Sequence, residues 1–329
     1  MLRLIMMGTG PFAVPMFRRL LATKHRVELL VTRPPRALHG KQQADVNPMR
    51  EVARAAEVPI FEPESINTDE ARARLAGCRP DLLVVCDYGQ ILKSETIATA
   101  RLGGINLHAS LLPKYRGAAP VQWAIYHGET ETGVSVFQLT AGVDAGPLLA
   151  IARLPIGSDE TAVALEHRLS DVGAGLVVDT VASLDAGNAT PLEQDAQLAS
   201  RAPRLKKTDG QVDWSRSAAA VKNQIRALAG WPKTYTDWLR PGGPALRLIL
   251  EAATVESTVE GTAEIAADSG TATPGRVLVA EGDRLLVATG GGPLRIERLQ
   301  PAGKRVLSAG EFLRGYPVRA GQSFGPAPG

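Results

Sequence analysis

The 329-residue sequence has few cysteines, few aromatic residues and no long apolar run. Its two cysteines, Cys78 and Cys86, are too few for a disulfide framework or a thiolate metal cluster. No apolar run reaches the roughly 18 residues that a membrane-spanning helix needs, and Met1–Gly8 lacks the core of a signal peptide. Neither sign of charge dominates, because 37 basic residues face 34 acidic ones. We therefore expect a cytoplasmic globular protein.

Several motifs that define common enzyme classes are also absent from the sequence. There is no G-x-S-x-G elbow, which argues against an α/β-hydrolase, and no G-x-x-x-x-G-K-[ST] loop, which argues against a P-loop NTPase. His25, His39, His127 and His167 have no second histidine at i+4 and no C-x-x-C partner. The sequence therefore predicts no metal site.

Strand and helix patterns alternate in the first part of the chain. Apolar runs at Leu2–Met7 and Leu82–Cys86 predict strands, and Phe12–Ala22 and 161–185 predict helices. Apolar runs of this kind are typical of parallel strands buried on both faces. We predict an α/β domain with a doubly wound, mostly parallel sheet, whose site lies at the carboxyl ends of the strands.

The last third of the chain has a different pattern, with short strands separated by glycine-rich turns. It predicts a small β-barrel of the oligonucleotide/oligosaccharide-binding (OB) type. The predicted strands are Leu246–Val255, Gly275–Ala280, Arg284–Thr289 and Leu294–Gln300. We place a first domain at 1–189, a polar linker at 190–209 and the barrel domain at 210–329.

Basic residues are concentrated between the two predicted domains. Residues 201–240 contain nine basic side chains and three aspartates, whereas residues 241–300 contain five basic and eight acidic ones. A basic segment beside a small barrel is consistent with a polyanion-binding surface. On charge alone, a solvated, flexible connection between the domains is the more common explanation, because a basic strip discriminates poorly.

The first predicted strand ends in Gly8-Thr9-Gly10-Pro11-Phe12-Ala13, which fits G-x-G-x-x-A. This pattern can hold the phosphates of a dinucleotide at a helix start. The second strand ends in Thr32-Arg33 rather than in an acid, which leaves only NADP open as a nicotinamide cofactor. We favour a tight strand-to-helix turn.

The clearest chemical pattern is Asn106 and His108, two residues apart on a predicted strand. Alternation places both side chains on one face, where an amide and an imidazole can hold a carbonyl oxygen and its developing negative charge. Asp144, in a glycine-flanked loop between two later strands, can orient the imidazole and help to move a proton.

The segment Asn106–Gln122, followed by Asp144, resembles the formyltetrahydrofolate-dependent formyltransferases. Two departures from the family pattern are Gly10, which stands where proline is usual, and His39, which stands where arginine is usual. Four further stretches carry the resemblance along the chain, namely Gly8–Ala13, Asp213-Trp214, Trp231-Pro232 and Leu299–Arg305.

The resemblance implies a Rossmann-like formyl-transfer domain followed by the C-terminal barrel. It implies 10-formyltetrahydrofolate as formyl donor, initiator methionyl-tRNA as acceptor, and catalytic roles for Asn106, His108 and Asp144. The residues expected at the folate are Tyr88, Gly89, Gln90, Ile91, Leu92, Ser110, Leu111, Leu112 and Pro113, the first five in a loop that begins at Asp87.

The family also carries basic residues that contact tRNA, and phosphate contacts need only positive charge within reach. The residues expected at the tRNA are Arg36, Lys41, Arg116, Lys206, Lys207, Lys304 and Arg305. We expect a monomer.

Three other functions remain open at this point. A formyltransferase that acts on a small amine, such as an amino-sugar nucleotide or glycinamide ribonucleotide, would share the first domain. A nicotinamide oxidoreductase would use the Gly8-x-Gly10 turn, and a noncatalytic RNA-binding module would leave Asn106, His108 and Asp144 without a role.

Overall fold

A computed structural model describes residues 1–35, 47–256 and 273–326 of the chain. The chain forms two compact units, each built from several segments. The first unit contains Met1–Pro120, Glu131–Pro155 and Leu165–Pro203. The second unit contains Val121–Thr130, Ile156–Ala164 and Arg204–Gly329. The bounds predicted from the sequence, 1–189, 190–209 and 210–329, stay predictions.

The first unit is built on a seven-stranded sheet in the order β3-β2-β1-β4-β5-β7-β8. Strands β1 to β5 are parallel to one another, and β7 and β8 are antiparallel to their neighbours. The strands are β1 (Arg3–Met7), β2 (Arg26–Val31), β3 (Ile60–Phe61), β4 (Leu82–Val85), β5 (Gly104–His108), β6 (Arg116–Gly117), β7 (Glu131–Gln138), β8 (Leu148–Pro155) and β9 (Arg201–Ala202). Strands β6 and β9 pair separately, in parallel.

Helices connect the parallel strands, as the alternating sequence pattern predicts. They are α1 (Val14–Leu21), α2 (Pro48–Ala55), α3 (Asp69–Gly77) and α4 (Ser94–Ile97). Two further helices are α5 (Pro120–Tyr126), which precedes β7, and α6 (Ala162–Ala186), which follows β8. Helix α2 begins as its sequence dictates, because the Asn47 side chain accepts a hydrogen bond from the Met49 N–H at 3.0 Å and Pro48 occupies the first turn.

The centre of this sheet is apolar on both faces, which explains the continuous hydrophobic runs. All four residues of β4 are buried, and so are the last four of β1. Because neither strand alternates between core and solvent, each needs a covering layer on both sides of the sheet. Because β1 and β4 are parallel neighbours, their apolar runs end at the same edge of the sheet, and the loops that follow supply polar groups there.

The second unit contains an antiparallel sheet in the order β12-β13-β14-β11-β10-β16, with β15 paired to β14. Its elements are α7 (Ala218–Ala227), β10 (Thr234–Leu239), β11 (Leu246–Val255), β12 (Val277–Glu281), β13 (Arg284–Thr289), β14 (Gly292–Pro301), β15 (Leu307–Ser308), α8 (Ala309–Gly315) and β16 (Ser323–Gly325). A bridge between Arg276 and Ser323 joins the two edges of the sheet, so that the barrel is nearly closed.

The core of the second unit fills this barrel with apolar side chains. Trp214 and Trp238 are 4% and 2% exposed, and each has a ring centroid 6.4 Å from that of a phenylalanine, Phe324 and Phe312 respectively. The predicted fold class is confirmed: a Rossmann-like, mostly parallel sheet followed by a C-terminal barrel. In the part of the chain that the structure describes, no helix is long and apolar enough to cross a membrane.

Candidate active site

The candidate site begins at the carboxyl end of β5, in the middle of the first sheet. Asn106 pairs with Val85 of β4 on one side and with Phe137 of β7 on the other, and His108 pairs with Ser135. Asn106 is partly accessible, whereas His108 is 6% exposed. Because strand side chains alternate, both project from the same face of the sheet.

The imidazole of His108 has two distinct nitrogen environments. Nε2 lies 2.8 Å from the carbonyl oxygen of Tyr115. A carbonyl oxygen only accepts hydrogen bonds, so Nε2 carries a proton and donates it to Tyr115. Nδ1 lies 3.8 Å from Oδ2 of Asp144. This separation is too long for a hydrogen bond, so the two groups interact as charges when His108 is protonated.

Asp144 is held by a backbone contact from the loop after β5. Its Oδ2 accepts a hydrogen bond from the Gly117 N–H at 2.8 Å. Gly117 has φ 125°, and a Cβ at this position would lie 2.5 Å from the Ala202 carbonyl oxygen. Only glycine fits there, because both the backbone conformation and the close approach to β9 exclude a side chain.

The backbone on either side of this contact is strained. Tyr115 and Asp144 both occupy the left-handed region, at φ 61° and 49°. For residues other than glycine, this conformation is maintained only where surrounding contacts fix it. The structure therefore brings His108 and Asp144 together by fixing two irregular loops against each other.

Several residues predicted at the folate have structural roles in the loop after β5. The hydroxyl of Ser110 is buried and donates to the Lys114 carbonyl oxygen at 2.7 Å. Leu112 is 4% exposed, and its N–H donates to the Ser135 hydroxyl at 3.1 Å. Of the predicted stretch, Leu111 and Pro113 keep partly accessible side chains.

The loop after β4 likewise contains both buried and accessible residues. Tyr88 and Leu92 are buried in the core of the first unit, and the Tyr88 hydroxyl has no hydrogen-bond partner among the described residues. Burial of this phenol raises the pKa of Tyr88 above its usual value. Gln90 binds backbone groups, since its Oε1 accepts from the Ile66 N–H at 2.9 Å. Gly89 and Ile91 are exposed, Ile91 by 67%.

Asp87, the first residue of the loop expected at the folate, lies at the carboxyl end of β4, and the sequence analysis missed the role of its side chain. A Cβ at Gly10 would overlap its carboxylate, so the absence of a side chain at residue 10 makes room for this acid. Although part of Asp87 is accessible to solvent, desolvation of its carboxyl group, followed by the negative charge of Glu166, raises the pKa of Asp87 to about 6. An acid directly after a buried parallel strand was the available sequence signal.

A second missed residue is Gln194, inside the predicted linker. Its Nε2 donates to the carbonyl oxygens of Asp144 and Gly146 at 3.0 and 2.7 Å. Its Oε1 accepts from Nε and Nη2 of Arg116 at 3.2 and 2.7 Å. No pattern in the sequence marks this glutamine, because its partners are distant along the chain.

Ser200 adds a third contact from the same segment. Its hydroxyl accepts from the Tyr115 N–H at 2.9 Å, and its carbonyl oxygen accepts from the Arg116 N–H at 2.8 Å. The Tyr115 carbonyl oxygen accepts the hydrogen bond from Nε2 of His108, so the contacts of Ser200 help to hold this acceptor in place. The segment predicted as a linker therefore contributes directly to the support of the candidate site.

The basic residues predicted at the tRNA occupy several places. Arg36 and Lys41 lie outside the described residues. Arg116 is engaged with Gln194, and Lys206, Lys207 and Lys304 are exposed on the second unit. Arg305 forms an exposed ion pair with Glu311 at 2.8 Å and, with the Ser308 cap, lowers the pKa of Glu311 to about 2.

The described residues contain no cluster of metal ligands. In 1–35, 47–256 and 273–326, no three histidine, cysteine or acidic side chains are close enough to hold a metal ion.

Comparisons with known proteins cover nearly the whole chain. A family model described as Formyl transferase matches residues 2–181, and one described as Formyl transferase, C-terminal domain, matches residues 204–317. A curated methionyl-tRNA formyltransferase from Rhodopirellula baltica is 41% identical over 98% of this chain and 96% of the relative. One from Geobacter sulfurreducens is 37% identical over 99% and 98%, respectively.

A solved structure is similar in fold. It is the N-formyltransferase from Helicobacter canadensis in complex with folinic acid and dTDP-3-aminofucose, with a TM-score of 0.65 and 16% sequence identity. The match covers 92% of this chain and all of the other. At this identity the likeness supports the fold alone.

Proposed function

Because this chain belongs to the formyl transferase family, we propose that it transfers the formyl group of 10-formyltetrahydrofolate to the α-amino group of initiator methionyl-tRNA, for translation initiation. The observation that carries the acceptor is the near-complete match to curated methionyl-tRNA formyltransferases, which includes the C-terminal unit. A folate-derived formyl donor is common to the family, and the 10-formyl isomer is our proposal. This acceptor fits an enzyme that works in the cytoplasm.

The reaction is a direct acyl transfer. The neutral α-amine attacks the formyl carbon, a C–N bond forms, and the carbonyl electrons move to oxygen. The tetrahedral intermediate then collapses, the bond to N10 of the folate breaks, and the proton lost by the amine is matched by one gained at N10. A free α-amine has a pKa near ~7.7–8.0, so much of it is neutral without a strong base.

The oxyanion is stabilised by the two side chains on β5. The Asn106 amide donates one hydrogen bond, and protonated His108 donates a second. Since Nε2 already donates to the Tyr115 carbonyl oxygen, Nδ1 is the nitrogen available for this bond. Such donors stabilise a transition state because they are fixed before charge develops.

Asp144 stabilises the charged form of His108 through the 3.8 Å contact and relays the amine proton through water. No covalent enzyme intermediate is needed. The thiol of Cys86, directly after β4, is fully buried, and burial raises the pKa of this cysteine well above its usual value. A neutral buried thiol is a poor nucleophile.

The folate lies in this proposal against the accessible parts of two loops. Gly89 and Ile91 after β4, and Leu111 and Pro113 after the neighbouring strand β5, are accessible for contact with the folate. The buried residues of the set predicted at the folate, such as Ser110, hold these loops in place from the protein interior.

The tRNA is held by basic residues that neutralise its phosphates. Lys206, Lys207 and Lys304 are exposed and suited to this task. The proposed tRNA-binding set also contains Arg36, Lys41, Arg116 and Arg305. Arg116 has a second role, because it binds the side chain of Gln194.

The test is an assay of formyl-methionine after incubation with 10-formyltetrahydrofolate and initiator methionyl-tRNA. We expect multiple turnovers with this acceptor and none with an amino-sugar nucleotide or glycinamide ribonucleotide. Turnover with a small amine alone would replace the tRNA acceptor, and saturable binding of NADP(H) without formyl transfer would indicate an oxidoreductase.

A further inference from the structure

Gln194, in the segment after α6, places its side-chain amide between Arg116 and the loop that carries Asp144. Gln194 uses all four of its hydrogen-bonding positions: two from Arg116 to its oxygen, and two from its nitrogen to carbonyl oxygens. Arg116 can only donate and carbonyl oxygens can only accept, so these neighbours fix the orientation of the amide. A side chain satisfied so completely is rigid.

The carbonyl groups that Gln194 binds belong to the loop that carries Asp144. This loop is costly to hold, because Asp144 has φ 49°, a conformation that residues other than glycine rarely adopt. It also packs closely on β7, since only a glycine at residue 146 leaves room for the Gln138 carbonyl oxygen. Gln194 fixes the loop by its main chain from one side. The Gly117 N–H fixes the Asp144 carboxylate from the other side, at 2.8 Å.

These contacts connect Arg116 to its neighbour Gly117 through Gln194 and Asp144. The Arg116 side chain binds Gln194, Gln194 binds the main chain of Asp144, and the side chain of Asp144 binds Gly117, the residue next to Arg116. Releasing Gln194 would free the Asp144 loop to relax from its strained conformation. The carboxylate would then leave its position 3.8 Å from His108.

We propose that Gln194 is a positioning residue for formyl transfer, which acts by holding Asp144 at its working distance from His108. The inference rests on the proposed function, since it assigns Gln194 a part in that reaction. Gln194 touches neither substrate in this proposal, so its loss lowers kcat and leaves the KM for the folate donor nearly unchanged. The KM for the tRNA is not used as a readout, because Gln194 also holds Arg116 of the proposed tRNA-binding set.

The first test compares two variants with a matched control. Gln194→Ala removes the amide, and Gln194→Glu keeps the size and the bonds from Arg116 but places a carboxylate oxygen against two carbonyl oxygens. We expect each to lose at least fivefold in kcat, with the KM for the folate donor within about twofold of wild type. Gln197→Ala is the control, because Gln197 is an exposed glutamine of the same segment.

The second test distinguishes positioning from a merely structural role. Gln194→Ala is combined with Asp144→Asn, and single-turnover rates are measured with enzyme in excess. If Gln194 acts through Asp144, the substitution costs less than twofold in the Asp144→Asn background. An equal cost in both backgrounds, or wild-type kcat in Gln194→Ala and Gln194→Glu, would overturn the inference.

Failure of the proposed function gives a different result. In that case wild type and Gln197→Ala would also lack formyl transfer to methionyl-tRNA. Active wild type together with unaffected Gln194 variants rejects only the positioning role. Circular dichroism and the unfolding temperature are recorded for each variant, and rates are expressed per folded enzyme.

Discussion

At the scale of single residues, the two nitrogens of His108 have different tasks. Nε2 is committed to the Tyr115 carbonyl oxygen, which leaves Nδ1 to face Asp144. The sequence indicates only that an imidazole lies beside an amide on one strand face. The tautomer depends on a carbonyl group seven residues further along the chain.

Removal of either oxyanion donor should therefore lower kcat. We expect Asn106→Ala and His108→Ala each to lose at least tenfold, because a single donor of this kind contributes ~10²–10³ in rate. Initial rates of methionyl-tRNA formylation give kcat, and circular dichroism verifies folding. Asn188→Ala and His167→Ala, at exposed positions, are the controls; wild-type turnover in both site variants would refute the assigned roles.

Asp87 makes stability depend on pH. Its folded-state pKa of about 6 lies above the ordinary value of 3.8, so the folded state binds its proton more tightly than the unfolded state does. The resulting stability is fully present below pH ~3.8 and is lost as pH rises through about 6. Above that pH, the ionised carboxylate destabilises the fold.

Asp87→Asn should therefore raise the unfolding temperature at pH 7.5 and change it much less at pH 4. The gain is on the order of 1 kcal/mol, after allowance for the solvent that reaches this side chain. Thermal unfolding at the two pH values measures it, with Asp171→Asn on the exposed face of α6 as control. An equal effect at both pH values would argue against ionisation as the cause.

At the scale of elements, the short β6–β9 pair matters more than its length suggests. It joins the loop after β5 to the segment after α6, and it brings Gly117 against Ala202. The ladder takes the N–H groups of Arg116 and Ala118, and the Gly117 N–H between them donates to Asp144. A two-residue ladder thus helps to fix the distance between His108 and Asp144.

We expect Gly117→Ala to destabilise the protein by about 2 kcal/mol or more and to lower kcat. The added Cβ would lie 2.5 Å from the Ala202 carbonyl oxygen, at a φ that favours glycine. Gly77→Ala is the matched control, because a Cβ there meets nothing within 4 Å. Chemical denaturation and formylation rates measure both effects, and equal behaviour of the two variants would contradict the steric argument.

The elements themselves were predicted unevenly. The predicted strands Leu246–Val255 and Arg284–Thr289 coincide with β11 and β13. Strand β10 was missed, because Asp237 interrupts its apolar pattern. In the structure this aspartate is 4% exposed and paired with Arg247 at 3.2 Å, a long-range contact that local periodicity does not reveal.

At the scale of the whole molecule, basic charge is concentrated in one stretch. Residues 201–240 carry a net charge of +6, counted as nine basic minus three acidic side chains. Lys206 and Lys207 are exposed within it, on the second unit. Such an arrangement attracts a polyanion, and the attraction weakens as salt screens it.

The KM for methionyl-tRNA should accordingly rise with salt, while the KM for the folate changes little. Lys206→Ala combined with Lys207→Ala should reduce the log–log slope by about 2, at roughly 0.9 for each phosphate contact on duplex RNA or DNA. Lys24→Ala with Arg153→Ala changes the net charge equally, at exposed sites of the first unit that already pair with Asp185 and Glu131. An equal slope in both double variants would exclude a local tRNA contact at the two lysines.

The sequence by itself determined the two architectures and the pair Asn106 and His108, because apolar periodicity and strand alternation are properties of neighbouring residues. Only the tertiary structure decided that Ser110 and Tyr88 are buried, that Gly10 makes room for Asp87, and that Gln194 supports Asp144. The physical reason is that polar groups in irregular loops are satisfied by partners far away along the chain. Gln194 and Asp144 are 50 residues apart, and nothing short of the folded backbone brings them within hydrogen-bonding distance.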